Sequence, residues 1–270
     1  MHSPSFAASV GRTALAVAHP GHELRLAKWV ELARPTVFVL TSGSRSGADR
    51  TRVDASARLA ATLGARIGDV FGEHLDRDVY GWIMDGQAEP FQALADKLAA
   101  AFVRAEIDTV VTDGWQLYNV VHDLWHLTVR LAAATAAMQL GRPVECLDYA
   151  VVPTAPEMPA CGGEKLRIDL SDQDVERKMR LIDSYAGIAD DAAEAIRVGG
   201  EIFVRREVLH DLAPLSALFP EAGRKPLYES FGEARVATGL YKDVLRWRHA
   251  EPVASRLAAR LGALSVMEPA

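Results

Sequence analysis

Short apolar runs alternate with longer segments of helical periodicity through the first 150 residues. Runs of small and branched apolar residues are typical of buried parallel strands, whereas helices repeat their apolar residues every three or four positions. The predicted strands lie at 13–18, 37–40, 109–112 and 144–152. The predicted helices lie at 24–32, 53–63, 91–104 and 123–140. This alternation predicts an α/β fold in which helices flank a mostly parallel sheet.

The chain changes character after residue 152. Residues 153–163 contain three prolines and two glycines, which is typical of a linker or surface loop. A helix is predicted over 171–185, because Ser171 and Asp174 form a capping signature. The rest is more charged, with scattered aromatic residues. We therefore predict an α/β domain at 13–152 and a mostly helical C-terminal cap at 153–270, packed on the same domain.

Composition excludes several classes of protein. Hydrophobic residues are 49% and charged residues 24% of the 270, which argues against a disordered polyelectrolyte. The net charge of −6, without a long basic stretch, argues against nucleic-acid binding. No apolar run approaches the ~20 residues that span a bilayer. With no secretory signal and only two cysteines, Cys146 and Cys161, we expect a cytoplasmic protein, with homo-oligomerisation left open.

Four histidines fall in two tight pairs, each beside the end of a predicted strand. His19 and His22 lie in the turn after the first strand, and His122 and His126 lie at the start of the helix that follows 109–112. Ligands of parallel sheets bind at the carboxyl ends of the strands, and imidazole is the commonest side-chain metal ligand. The placement predicts a metal site with three protein ligands and an open position.

A plainer interpretation applies to each histidine taken singly. A buried imidazole is more often a hydrogen-bonded core residue or a helix cap than a ligand, and only the joint placement favours metal binding. The remaining histidines are isolated in the sequence, and we interpret them as structural or exposed: His2, His74, His210 and His249.

Residues 13–150 resemble the PIG-L/LmbE-like family of metal-dependent N-deacetylases. The first motif reads Ala-Leu-Ala-Val-Ala-His-Pro-Gly-His-Glu, where the family has His-Pro-Asp-Asp-Glu after its first strand. The second strand, Thr-Val-Phe-Val-Leu-Thr-Ser-Gly, resembles the family's strand that ends in Thr-Asp-Gly. Further features follow in the family's order: Arg45, Arg52, Leu63-Gly64, the strand from Asp108 and His122. The resemblance implies a Rossmann-like sheet and hydrolysis of an N-acetyl group.

The resemblance also implies the metal ligands and exposes two departures. The family's zinc ligands fall on His19, His22 and His122, with His22 in place of an aspartate. Histidine is a competent substitute. The family's general base falls on Gly21, which cannot take a proton. The later motif departs as well, because Asn119 stands where the family has a histidine and Val121 where it has an aspartate.

Three residues remain as candidates for proton transfer. Asp123 is the first, His126 the second and Glu23 the third, although carboxylates such as these also occur as purely structural groups at helix N-termini. The candidate substrate contacts at the rim are Arg45, Tyr118 and Asn119.

The sequence thus predicts a zinc-dependent N-deacetylase acting on a small N-acylated molecule, an N-acetyl amino sugar in the first instance. One alternative is a metal-dependent amidohydrolase acting on another acylated metabolite. Another is a catalytically silent member that binds a metal or ligand, which Gly21 favours and the extra histidines oppose.

Overall fold

A computed structural model of the protein describes residues 12–44, 49–153, 162–221 and 223–265. Within these ranges the strands form one β-sheet. The strands are β1 (Thr13–Val17), β2 (Thr36–Thr41), β3 (Arg66–His74), β4 (Thr109–Asp113), β5 (Glu145–Tyr149), β6 (Glu164–Asp169) and β7 (Arg206–Asp211). Within the described ranges their order is β3-β2-β1-β4-β5-β7-β6. The first five run parallel, and β7 lies antiparallel to both β5 and β6.

Helices cover the two faces of this sheet. They are α1 (Ala27–Ala33), α2 (Thr51–Thr62), α3 (Asp76–Met84), α4 (Glu89–Arg104), α5 (Val120–Leu140), α6 (Asp172–Ser184), α7 (Ala189–Arg205), α8 (Leu227–Ala237) and α9 (Trp247–Ser265). Ala14 and Ala16 of β1 face the core shared with α4, α5 and α9, whereas Leu15 and Val17 face the core shared with α1 and α2. No described helix is both long and apolar enough to cross a membrane.

The predicted fold class is confirmed, with additions. The structure contains four predicted strands as β1, β2, β4 and β5, and the Ser171–Asp174 capping box at the start of α6. It adds β3 and α3, which the sequence did not indicate. The chain beyond residue 152 is not helical throughout, because β6 and β7 extend the sheet.

The strand order reverses direction at β1. This strand pairs with β2 on one side and with β4 on the other, so the chain builds the sheet outward in both directions. The loops that leave the carboxyl ends of β1 and β4 therefore part to opposite faces and leave a crevice, which is where ligands bind in open parallel sheets.

Candidate metal centre

The loop after β1 brings two histidines to this crevice. Residues 18–23 follow the strand directly, and Gly21 permits the turn with a φ of 105°, which residues with a side chain rarely adopt. His22 then begins a short 3-10 helix, His22–Leu26. The turn places the ring centroids of His19 and His22 5.4 Å apart.

The first turn of α5 supplies a third histidine. Asn119 caps this helix, since its side-chain oxygen accepts a hydrogen bond from the backbone N–H of Val121 at 2.9 Å. The ring centroid of His122 lies 5.1 Å from that of His19 and 4.6 Å from that of His22. The structure therefore brings together the three histidines that we predicted as ligands, and their binding of a metal stays a prediction.

The donor atoms of this cluster fit a divalent metal ion. Nε2 of His19 and Nδ1 of His122 are buried, without a hydrogen-bond partner among the described residues. Burial lowers the pKa of His122 well below its usual value, and the neighbouring rings of His22 and His19 lower it further. His122 is thus neutral, which is the form that binds a metal. One donor atom each from His22, Asp113 and His122 also lie within 4.8 Å of one another.

Asp113, the last residue of β4, is a member of the cluster that the sequence did not reveal. Its side chain is fully buried. Oδ2 accepts hydrogen bonds from the backbone N–H of Ala18 at 2.8 Å and from Nδ1 of His22 at 2.9 Å. Oδ1 accepts one from the hydroxyl of Tyr149 at 2.9 Å. The available signal was an acidic residue directly after the apolar run 109–112, but the predicted strand stopped at Thr112.

Asp76 is a second carboxylate that the sequence did not reveal. It is the first residue of α3, and its Oδ1 lies 3.4 Å from Nδ1 of His19, which is also 2.8 Å from the hydroxyl of Thr41. Burial alone would raise the pKa of Asp76, but the nearby polar groups of His19 and Thr41 and the charge of Arg52 outweigh it and lower the pKa. An ionised carboxylate therefore stands beside His19.

Asp123, the first candidate for proton transfer, has a different environment. Successive helix residues point about 100° apart, so Asp123 does not share the direction of His122. Its Oδ1 accepts hydrogen bonds from the backbone N–H groups of Gln116 and Leu117 at 3.0 and 3.2 Å. Burial raises its pKa to about 8. This geometry gives Asp123 the role of fastening the β4–α5 loop.

His126, the second candidate, is fully buried beside β4. Its Nδ1 lies 2.9 Å from the backbone oxygen of Asp113, and its ring centroid lies 6.2 Å from that of Trp115. Burial lowers the pKa of His126 to about 3, and Arg130 contributes to the decrease. A neutral, enclosed imidazole bonded to the backbone of β4 favours a supporting role, and proton transfer by His126 stays a prediction.

Glu23, the third candidate, is engaged within the turn. Its Oε2 accepts a hydrogen bond from the backbone N–H of Gly21 at 2.9 Å, and its Oε1 accepts one from the hydroxyl of Ser56. The hydroxyl of Tyr185 lies 2.6 Å from that of Ser56. Burial raises the pKa of Glu23. Glu23 therefore joins the histidine turn, the loop of residues 18–23 that carries His19 and His22, to α2. This favours a supporting role over proton transfer.

The candidate substrate contacts have mixed placements. Tyr118 is half-buried, and its ring centroid lies 5.3 Å from that of Phe231 in α8. Asn119 is committed to capping α5. Arg45 lies outside the described residues. Substrate binding by these residues stays a prediction.

Comparisons with known proteins give partial likenesses only. No protein-family model and no curated protein matches the chain. The chain is similar, at low identity, to several solved structures, among them the following three. A conserved protein from Thermus thermophilus is 16% identical, with 79% of this chain and 98% of that chain covered and a TM-score of 0.44. The A40926 pseudoaglycone deacetylase is 16% identical, with 78% and 100% covered and a TM-score of 0.46. The zinc-inhibited form of teicoplanin deacetylase is 13% identical, with 65% and 84% covered and a TM-score of 0.40. TM-scores below 0.5 do not transfer an activity to this chain.

Proposed function

We propose that the chain is a metal-dependent hydrolase that removes an N-acetyl group from a small molecule, an N-acetyl amino sugar in the first instance. The observation that carries the proposal is the cluster of three imidazoles between the carboxyl ends of β1 and β4, with centroids 4.6–5.4 Å apart. The choice of an amino sugar rests on the motif resemblance over residues 13–150 alone.

His19, His22 and His122 would hold the ion, and zinc suits these donors. A bound divalent ion supplies the Lewis acidity that polarises an amide carbonyl. The protein holds Nδ1 of His22 through the carboxylate of Asp113 and Nδ1 of His19 through the hydroxyl of Thr41, with Asp76 3.4 Å from His19. Proton transfer by Asp123, His126 or Glu23 stays a prediction. Each makes hydrogen bonds that support the fold, while Oδ2 of Asp123 and Nε2 of His126 have no partner among the described residues.

One observation favours a second candidate, a catalytically silent member that keeps the metal site. Gly21 occupies the position of the family's base, and a Cβ built there would lie 2.6 Å from Cδ1 of Ile188. The space for a side chain at this position is therefore filled by the segment between α6 and α7. An amidohydrolase acting on another acylated metabolite uses the same metal chemistry and differs only in its substrate.

Metal content and acetate release together test the proposal. We expect the purified chain to bind about one zinc ion, and His122→Ala to lose it while keeping the wild-type circular dichroism spectrum. His249→Ala is the matched control, because His249 belongs to the start of α9, and this variant should keep its metal. The zinc-loaded chain should release acetate from N-acetylglucosamine or from an N-acetyl amino acid, and the two substrates separate the sugar deacetylase from the broader amidohydrolase. Zinc binding without any acetate release would favour the catalytically silent candidate. A chain that binds no zinc would contradict both the deacetylase and the silent metal-binding protein.

A further inference from the structure

We propose that Asp113 is a positioning residue of the metal centre, which fixes His22 with its proton on Nδ1 and so leaves Nε2 as the nitrogen that faces a metal ion. The inference rests on the proposed metal site, and it deepens that proposal by separating the residue that orients a ligand from the ligands themselves.

The carboxylate of Asp113 is itself held rigidly. The backbone N–H of Ala18 and the hydroxyl of Tyr149 donate to its two oxygens at 2.8 and 2.9 Å. The Tyr149 hydroxyl also lies 3.3 Å from the backbone oxygen of His22, so strand β5 contacts both partners. Asp113 is fully buried, and its hydrogen bonds leave it little freedom to move.

The contact with His22 determines the tautomer of that imidazole. Oδ2 of Asp113 already accepts the backbone N–H of Ala18, and a carboxylate oxygen is an acceptor, so the 2.9 Å contact assigns the proton of this hydrogen bond to Nδ1 of His22. The lone pair available to a metal ion is then the one on Nε2. A carboxylate partner of this kind fixes the orientation of a metal-binding imidazole and raises its basicity.

His19 is also held through its Nδ1, although there the hydrogen-bond partner is the hydroxyl of Thr41 and the carboxylate of Asp76 is only a neighbour. Nδ1 of His19 contacts Thr41 and Asp76, and its Nε2 is buried without a partner among the described residues. Both histidines of the turn are thus held through Nδ1. Asp113 already accepts three hydrogen bonds, two of them on the oxygen nearest His22, so it is better placed to orient this ligand than to become one.

The test measures the tautomer and the metal affinity of the full chain. Long-range proton–nitrogen NMR of the metal-free protein should show His22 protonated on Nδ1. By chelator competition, Asp113→Asn should weaken zinc binding by about 10- to 100-fold, and Tyr149→Phe should weaken it less. Asp148→Asn is the matched control, because Asp148 is a buried carboxylate on β5 whose nearest histidines are His126 and His210, each 3.9 Å away.

The outcomes separate this inference from the metal site itself. Unchanged zinc affinity in both Asp113→Asn and Tyr149→Phe, or a His22 protonated on Nε2, would overturn the positioning role. Loss of zinc as complete as in His122→Ala would make Asp113 a ligand and would also overturn it. If Asp113→Asn does not fold, the zinc affinity of Tyr149→Phe and the NMR measurement of the His22 tautomer in the wild-type chain still test the proposal. A wild-type chain that binds no zinc would contradict the proposed function, whereas the tautomer would still report on Asp113.

Discussion

Gly21 is the residue that most restricts what can stand in the histidine turn. Its φ of 105° disfavours any side chain, and a Cβ would lie 2.6 Å from Cδ1 of Ile188. Positive φ costs roughly 1–2 kcal/mol and overpacking roughly 1–3 kcal/mol. We therefore expect Gly21→Ala to lower the free energy of unfolding by roughly 2–5 kcal/mol, measured by urea denaturation. Gly21→Asp, which introduces a larger side chain at the same position, should be at least as damaging.

Two further variants separate the two causes. Gly141 also has a positive φ, of 64°, but nothing lies within 4 Å of its position for a Cβ, so Gly141→Ala reports the backbone cost alone. Adding Ile188→Ala to Gly21→Ala should recover the part that is due to the clash. An effect of Gly21→Ala no larger than that of Gly141→Ala would show that Ile188 gives way freely.

The histidines of the centre could be predicted from the sequence, whereas its carboxylates could not. His19, His22 and His122 stand out because imidazoles are scarce and two of them share one turn at a strand end. Asp113 and Asp76 are two of 36 acidic residues, and only the pairing of β1 with β4 and the approach of α3 bring them to the imidazoles.

The strands found from the sequence are those buried on both faces. Every residue of β1 is buried, and this leaves a continuous apolar run in the sequence. β3 mixes exposed, half-buried and buried residues, and β6 alternates exposed with half-buried residues, because both lie at the edges of the sheet. β7 is also mixed in composition. The edge strands β3 and β6, and the interior but half-buried β7, therefore lack a continuous apolar run that would reveal them in the sequence.

Helices α1 and α6 are joined to β7 by one buried ion pair, which gives a further prediction. Nζ of Lys178 lies 2.8 Å from Oε1 of Glu207, and both side chains are at most 4% exposed. The carboxylate also accepts the backbone N–H groups of Lys28 and Trp29 at the start of α1, at 3.0 and 2.8 Å. Lys178→Met would remove the hydrogen-bonded counter-ion of that charge and leave only the more distant Arg25, and we expect a loss of about 3–5 kcal/mol in the free energy of unfolding.

Urea denaturation of a double variant checks this explanation. Lys178→Met combined with Glu207→Gln removes the charge as well as its partner, and should recover a large part of the loss. The exposed pair of Arg197 and Glu194 is the control, since Arg197→Met should leave the unfolding midpoint unchanged. A double variant as unstable as Lys178→Met would mean that the lost packing of the lysine stem, and not the stranded charge, explains the effect.

The position of the candidate site follows from the topology of the sheet more than from any single motif. The alternation of strand and helix predicts a parallel sheet, but not which strands are neighbours. The pairing of β1 with β4 joins residues far apart in the chain, for example Ala16 and Thr112. This long-range pairing is what brings His122 to the crevice that holds His19 and His22.

A metal bound in this crevice should stabilise the entire fold, because its ligands come from distant parts of the chain that separate on unfolding. Binding only to the folded state adds RT ln(1 + [L]/Kd), about 2.7 kcal/mol at a free metal concentration of about 100 Kd. For a chain of this size we expect zinc to raise the melting temperature by roughly 5–10 °C, and a chelator to reverse the increase. The shift should vanish in His122→Ala and persist in His249→Ala, as measured by calorimetry. An equal shift in His122→Ala would place the stabilising ion elsewhere on the protein, because a site that has lost the ligand from α5 no longer joins the loop after β1 to that helix.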